Sequence, residues 1–164
     1  MSGNRRILSV VVLLIALVPA LLSARAGADA TPPPLSSIDV APTGDEYAIV
    51  RVMNSVRAAN GVPPLRPGPV LTRAARAHSV DMARRGYFDH GAFVRRLRRF
   101  GVRAPYIGEN LAYGDARLSA QAVVQMWLTS PPHRMNLLDR GFQRIGVGLA
   151  GDSRRLVTAD FAGR

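Results

Sequence analysis

The chain has 164 residues, 48% of them hydrophobic, and a formal net charge of +11. This length predicts one compact domain, and the lack of cysteine excludes a disulfide framework and a thiol nucleophile. All the basic residues are arginine, which favours anionic partners such as lipid headgroups or polyanionic envelope polymers. The interleaving of aromatic with basic residues that single-strand binding needs is missing, so no nucleic-acid partner is expected.

Residues 1–28 are predicted to be a cleaved signal peptide. Two arginines open the segment, residues 7–22 are nearly all apolar, and small-residue cleavage sites of the Ala-x-Ala type follow. An uncleaved membrane anchor is the alternative, and no later segment is apolar enough to span a bilayer. Residues 29–43 form a linker rich in proline and serine. Residues 44–164 are therefore expected to be the folded domain of a secreted or envelope-associated protein.

The domain is predicted to begin with two helices. Thr43 and Glu46 have the spacing of a capping box, and apolar residues then recur at helical spacing as far as a stop at Asn60 and Gly61. A second helix follows a Pro-Pro turn and ends at Gly86.

His78 lies on the apolar face of this second helix. Its helical neighbours are Ala74, Ala75 and Met82, and a lone histidine in such surroundings is more often a hydrogen-bonded core residue than a ligand. We therefore expect His78 to be structural.

A short third helix is predicted from Phe93 to Phe100, ended by Gly101. One face of this helix carries a run of charged residues, Arg95, Arg96, Arg98 and Arg99. Such runs usually form a solvated helix face. The alternative here is an anion- or headgroup-binding edge of a cleft, because the run begins shortly after His90.

The segment 127–138 joins helical to strand-like sequence. Ser119 is predicted to cap a fourth helix that turns Trp127 inward. After a Ser-Pro break, Ser130 is the expected N-cap and Pro131 the first residue of a new helix. His133 would then lie in the first turn, where the backbone orients it.

Two strands are predicted to close the chain as a hairpin. Apolar residues from Ile145 to Leu149 alternate with two glycines, a period of two whose glycine face lets another backbone approach closely. Residues 155–161 pair back after a Gly-Asp-Ser turn, and residues 109–113 can extend as a further strand. This order predicts an α+β fold with a small, mostly antiparallel sheet between helices.

Five segments stand in a recognisable order: 77–83 (AHSVDMA), 87–90 (YFDH), 108–112 (GENLA), 127–138 (WLTSPPHRMNLL) and 145–148 (IGVG). Together they resemble the CAP superfamily of SCP-like or pathogenesis-related-1-like domains, and more narrowly its secreted bacterial branch. The resemblance covers about residues 45–161 and implies an α-β-α sandwich with a surface cleft.

In many members of that superfamily two histidines and two acidic residues line the cleft and can hold a divalent metal such as zinc. By resemblance, His90, Glu109 and His133 take three of these positions and converge in one cleft. The second acid of eukaryotic members is replaced here by Thr129 and Ser130, so Ser130 or a water is expected to complete the shell.

Two imidazoles and one carboxylate leave three chemical interpretations open. They match the ligand count of catalytic zinc, which would activate water for attack on a carbonyl or phosphoryl centre. Without metal, Glu109 would orient one imidazole as a general base. The third interpretation is a structural hydrogen-bond network.

Three further residues of this region are predicted to be structural. Arg134 would tie the Ser-Pro corner to the carboxylate of Asp139 or Asp89. Asn136 would satisfy loose backbone groups, and Trp127 is assigned to the core.

The sequence thus predicts a secreted, single-domain CAP protein whose cleft binds a ligand, which by resemblance is a lipid- or sterol-like molecule or an envelope component. One alternative is a metal-dependent, protease-like hydrolase that uses the same cleft. The other is an extracellular interaction or signalling protein that acts through its surface. The residues leave open whether the protein is an enzyme and what its oligomeric state is.

Overall fold

A computed structural model describes residues 43–164, and the predicted signal peptide and nearly all of the predicted linker lie outside the described residues. No helix within this range is long and apolar enough to cross a membrane. In chain order the elements are α1 (Gly44–Ala59), β1 (Arg66–Pro67), α2 (Pro69–Arg85), α3 (Phe93–Arg99), β2 (Tyr106–Asp115), α4 (Ala120–Thr129), α5 (Pro131–Leu138), β3 (Phe142–Ala150) and β4 (Arg154–Gly163).

The strands of the described chain form a sheet in the order β1-β3-β4-β2. β4 pairs antiparallel with both β3 and β2, while β1 runs parallel to β3. The mostly antiparallel sheet is as predicted, and β2 is an edge strand. The strand expected near Glu109 is longer than predicted, at 10 residues, because all of β2 pairs with β4.

Helices cover both faces of the sheet. On one face α1, α4 and α5 pack against it around Met53, Trp127 and Phe161. On the other face α2 and α3 pack around Leu71 and Leu97. The predicted α+β sandwich of helices around a small sheet is therefore confirmed.

The start of α1 has the predicted capping box. The backbone N–H of Glu46 donates to the Thr43 hydroxyl (3.4 Å), and the Thr43 N–H donates to Glu46 Oε2 (2.7 Å). The buried Glu46 carboxylate also accepts two hydrogen bonds from Arg76 on α2. One acidic side chain thus caps α1 and joins it to α2.

The two glycines of β3 face α2. A Cβ on Gly146 would lie 2.1 Å from the carbonyl carbon of Leu71, and a Cβ on Gly148 would lie 2.2 Å from the backbone nitrogen of Arg76. The predicted close approach of another backbone is confirmed, and the approaching element is α2.

A buried arginine holds the corner between α5 and β3. Arg57 has 0% exposure, and its Nη1 donates to the carbonyls of Leu137 (2.7 Å) and Asp139 (3.0 Å). Its Nη2 donates to Phe142 (3.2 Å) and its Nε to Pro63 (2.7 Å). Because each bond ends on a main-chain oxygen, Arg57 fixes the backbone of this corner.

The structure does not show the ion pair that was predicted for Arg134 at the Ser-Pro corner. Arg134 is exposed on α5 and has no ion pair with Asp139, Asp89 or any other acid within residues 43–164. The Asp139 carboxylate is occupied by the Tyr106 hydroxyl and the Gly141 N–H instead.

We predict that Gly148→Ala lowers the free energy of unfolding by about 3 kcal/mol, because the added methyl group overlaps the backbone of α2. Gly44→Ala is the matched control, since nothing lies within 4 Å of its Cβ position and alanine in a helix is favoured by about 0.5–1 kcal/mol over glycine. Equilibrium unfolding in urea measures both variants. A Gly148→Ala protein as stable as the wild type would contradict the packing described.

Candidate functional site

Helix α5 is fastened to the edge strand β2 by two asparagines. Asn136 Nδ2 donates to the Glu109 carbonyl (3.2 Å) and to Asn110 Oδ1 (2.9 Å). Asn110 Nδ2 in turn donates to the His133 carbonyl (3.0 Å). Asn136 thus bonds a backbone group, as predicted from the sequence, and the pair of amides sets the position of His133 relative to Glu109.

Trp127 makes the corresponding link from α4. The side chain is fully buried in the core, where the sequence assigned it, and its Nε1 donates to the Leu111 carbonyl (2.9 Å). Glu109 and Leu111 stand two residues apart on β2, so two alternate carbonyls of the edge strand are occupied by side chains of α4 and α5.

His90 is oriented by Glu109. Its Nδ1 lies 2.7 Å from Glu109 Oε1, with side-chain exposures of 19% for His90 and 1% for Glu109. Because a carboxylate only accepts, Nδ1 carries the proton, and in the neutral ring Nε2 is left with a free lone pair. A buried carboxylate therefore presents a partly exposed imidazole in a fixed tautomer.

Arg96 lies behind this pair, which corrects the prediction that it belongs to a solvated arginine face. Its Nη2 donates to Glu109 Oε2 and, at 3.1 Å, to Asp160 Oδ1. Glu109 and Asp160 are direct partners in the register of β2 and β4. Neither Arg96 nor Asp160 was singled out as a site residue from the sequence; the signal available was a charged residue at a strand position otherwise surrounded by apolar ones.

The two facing carboxyl groups differ in charge. Burial raises the pKa of Asp160 well above its usual range, Arg96 opposes this, and the charge of Glu109 adds to it. Burial also acts to raise the pKa of Glu109, but the hydrogen bond from His90 and the charge of Arg96 outweigh it, so that this pKa is lowered. The negative charge therefore resides on Glu109.

His133 approaches the same site from α5. It is half-buried, and its pKa is lowered by burial and then by the charge of His90. Because Asn110, the neighbour of Glu109, donates to the His133 carbonyl, the structure brings His90, Glu109 and His133 to one region at the edge of β2.

The metal set predicted from the sequence does not fit this geometry. Both oxygens of Glu109 are engaged, one by His90 and the other by the Arg96 guanidinium. Within residues 43–164 no group of three or more His, Cys, Asp or Glu side chains is arranged to hold a metal ion. Glu109 is a partner of His90 and not a free ligand.

Ser130 takes the predicted N-cap position of α5, but its side chain makes no capping hydrogen bond. Its Oγ is buried and has no hydrogen-bond partner among the described residues. Buried hydroxyls are usually paired, so Ser130 stays a candidate contact for a ligand or a water at the start of α5.

His78 holds the segment that carries His90. It is buried (4% exposed), its Nε2 donates to the Asp89 carbonyl (2.9 Å), and its ring meets Tyr87 edge-on at 6.2 Å. Burial, followed by the charge of Arg96, lowers the pKa of His78. The ring is thus a buried, hydrogen-bonded group directly behind the 87–90 segment.

An exposed aromatic pair continues the site along β2. The rings of Phe88 and Tyr113 meet at 4.8 Å in an edge-to-face arrangement, and they are 38% and 44% exposed. Arg154 lies over the Tyr113 ring at 4.7 Å. Since Phe88 belongs to the same segment as His90, and Tyr113 to the same strand as Glu109, the pair extends the surface on which the histidine stands. This pair was not predicted from the sequence.

Two cavities lie elsewhere in the molecule. One of about 310 Å³ is bordered by the starts of α1 and α4 and includes Asp45, Leu118 and Arg155. The other, of about 110 Å³, lies at the start of α2 beside Arg103 and Arg144. Neither is lined by the two histidines or by Glu109.

Comparison with known proteins shows which family the sequence matches. The profile of the Cysteine-rich secretory protein family (CAP) matches residues 50–161. YkwD of Bacillus subtilis (strain 168) is 35% identical over 124 residues, which are 73% of this chain and 47% of YkwD. The chain thus spans about half the length of that relative.

Solved structures agree with the sequence comparison. An extracellular protein containing an SCP domain from Bacillus anthracis str. Ames is similar at 32% identity and a TM-score of 0.66, over 74% of this chain and 41% of that one. An outer surface protein from Borrelia burgdorferi has a TM-score of 0.68 at 20% identity, over 77% of this chain and 96% of its own. The second similarity shows the fold alone.

We predict that His78→Gln flattens the acid dependence of stability. A group whose pKa is lowered by folding contributes stability above its unfolded pKa and loses it as the pH falls, because the unfolded chain takes up the proton first. Glutamine can still donate to the Asp89 carbonyl but does not titrate. The free energy of unfolding, measured by urea denaturation at about pH 7.5 and about pH 5, is expected to fall less in the variant than in the wild type. An equal fall would mean that His78 is not held neutral.

Proposed function

The chain belongs to the Cysteine-rich secretory protein (CAP) family, and from this membership we propose that it is a secreted or envelope-associated binding protein. The proposed cleft follows the edge of β2. It holds the polar part of an amphipathic, lipid-like envelope ligand at His90 and His133, beside Ser130, and the apolar part on the rings of Phe88 and Tyr113.

The orientation of His90 carries this proposal. A partly exposed imidazole has its proton fixed on Nδ1 by a carboxylate that is 1% exposed, which leaves Nε2 to meet a ligand. Burying a charged carboxylate is costly unless several groups compensate it. A set of buried charges directed at one surface histidine is more typical of a binding site than of a structural network.

The ligand class is supported by the surroundings of that histidine. Exposed aromatic rings offer apolar contact area with little conformational freedom to lose. The strongly positive chain attracts anionic surfaces, and Arg154 stands over the Tyr113 ring at the end of the cleft. An anionic headgroup and an acyl chain match these two kinds of surface.

The export of the protein is part of the same proposal. Residues 1–28 have the composition of a signal peptide. One similar solved protein is described as extracellular and another as an outer surface protein. The expected place of action is the cell envelope or the medium.

The geometry bears differently on the two alternative functions predicted from the sequence, a metal-dependent hydrolase and a surface interaction protein. A metal-dependent hydrolase with Glu109 as ligand is not supported, because both carboxylate oxygens are engaged. Recognition through the arginine face of α3 loses Arg96, which is turned inward. A metal-free hydrolase is the second candidate, since the His90–Glu109 hydrogen bond of 2.7 Å is what a general base requires.

We predict that the protein, produced with its own N-terminal residues and purified without chelator, extracts phosphatidylglycerol from vesicles, as seen by native mass spectrometry. The double variant Phe88→Ala/Tyr113→Ala should retain about tenfold less lipid, because the two partly exposed rings together contribute about 1.5 kcal/mol of apolar contact. His133→Ala should weaken retention by a similar factor.

Tyr47→Ala is the matched control for these variants. Tyr47 is an exposed aromatic residue (53%) on α1, which contributes nothing to the proposed cleft, so its removal should leave retention unchanged. A wild-type protein that takes up no lipid, or one in which Tyr47→Ala and the cleft variants lose retention equally, would rule out the proposed binding site.

The second candidate makes a separate prediction. If His90 acts as a general base, hydrolysis of a chromogenic fatty-acyl ester should fall about 100-fold in His90→Gln and should be insensitive to chelator. If the wild-type protein retains lipid but hydrolyses no ester, the binding function is supported and the hydrolase is excluded.

A further inference from the structure

We propose that Arg96 is the resident cation of the cleft, and that its position between Glu109 and Asp160 keeps Glu109 from binding a divalent metal. Arg96 is then a positioning residue, which acts on His90 through Glu109. The inference deepens the proposed function and rests on it for the identity of the site. The bond from Arg96 to Glu109 Oε2 is the reason why Glu109 does not serve as the acidic ligand of the metal set predicted by resemblance.

Two carboxylate oxygens from neighbouring strands meet at one nitrogen atom. Arg96 Nη2 donates to Glu109 Oε2 and, at 3.1 Å, to Asp160 Oδ1. Glu109 and Asp160 stand opposite each other on β2 and β4, so the sheet fixes both acids. An ion placed at Nη2 would meet the same two oxygens, because metal–oxygen bonds of about 2.0–2.6 Å require only a small contraction of this cage.

The charge of Glu109, beside the buried Asp160, needs a positive partner in this position. Their side chains are 1% and 0% exposed, and that of Arg96 is 14% exposed. Within residues 43–164, Arg96 is the cation that pairs with both. Removing one partner of a buried charge group leaves the others uncompensated, which is strongly unfavourable.

The guanidinium does not use the whole cage. Asp160 Oδ2 and Arg96 Nε are buried without a hydrogen-bond partner among the described residues. Asp160 Oδ2 is an acceptor that a smaller ion of higher charge could use, since carboxylate oxygens are ligands of hard ions such as Mn²⁺, whereas Arg96 Nε is an N–H donor. A neutral side chain in place of Arg96 should therefore convert the cage into a metal site.

The test is to titrate the full chain and its variants with Mn²⁺ at about pH 8, where the acids can ionise, with electron paramagnetic resonance to count bound ions. Wild type should bind no Mn²⁺ that depends on Glu109. Arg96→Gln should bind one ion at least about tenfold more tightly than wild type, and Mn²⁺ should raise its melting temperature.

Two variants serve as controls. Arg96→Lys keeps a positive charge and should gain no Mn²⁺ site, while the double variant Arg96→Gln/Glu109→Gln should lose the site gained by Arg96→Gln. Both readouts are independent of lipid retention, so the proposed function can fail while this inference holds, and the reverse.

Three results would overturn the inference. In the first, the wild-type protein binds Mn²⁺ and the Glu109→Gln variant does not, which would mean that the site takes metal with Arg96 in place. In the second, Arg96→Gln binds Mn²⁺ no more tightly than the wild type, which would mean that the two acids do not form a metal site. Arg96→Gln that is equally unfolded in Mn²⁺ and in chelator shows that a divalent ion cannot replace the guanidinium.

Discussion

Glu109 carries a negative charge at a point of the sheet edge that solvent barely reaches, and the site consists of the groups that compensate this charge. His90 donates to one carboxylate oxygen and Arg96 to the other, while the facing Asp160 is the acid whose pKa rises. The ring orientation of His90 and the inward turn of Arg96 are both consequences of burying one carboxylate, because neither hydrogen bond is optional once water is excluded.

The position of β2 at the edge of the sheet explains how distant segments come to share a site. His90 and Arg96 belong to the side of the sheet covered by α2 and α3, whereas His133 belongs to α5 on the opposite side. Side chains from two layers separated by a sheet can meet only where the sheet ends. The side-chain hydrogen bonds from α4 and α5 to β2 keep the two layers in register at that edge.

Features that depend on local sequence were predictable, and those that depend on distant contacts were not. The capping box at Thr43 and the glycine face of β3 follow from spacing and from the lack of a side chain. In a run of four arginines, however, nothing in the letters distinguishes Arg96, whose partner Asp160 is 64 positions away. Arg57 was missed because its contact with the Leu137 carbonyl spans 80 positions. Arg134 was misassigned because the Asp139 carboxylate accepts from Tyr106, which lies 33 positions earlier.

The occupied carbonyls of β2 bear on how a guest molecule can be held. A protein that binds an extended peptide along a sheet edge needs free main-chain donors and acceptors with which the peptide can form hydrogen bonds. Here the oxygens of Glu109 and Leu111 already accept from Asn136 and Trp127, so these two positions of β2 are closed to pairing with another polypeptide. Under the proposed function, a ligand would therefore be bound by side chains, and it would not need a polypeptide backbone.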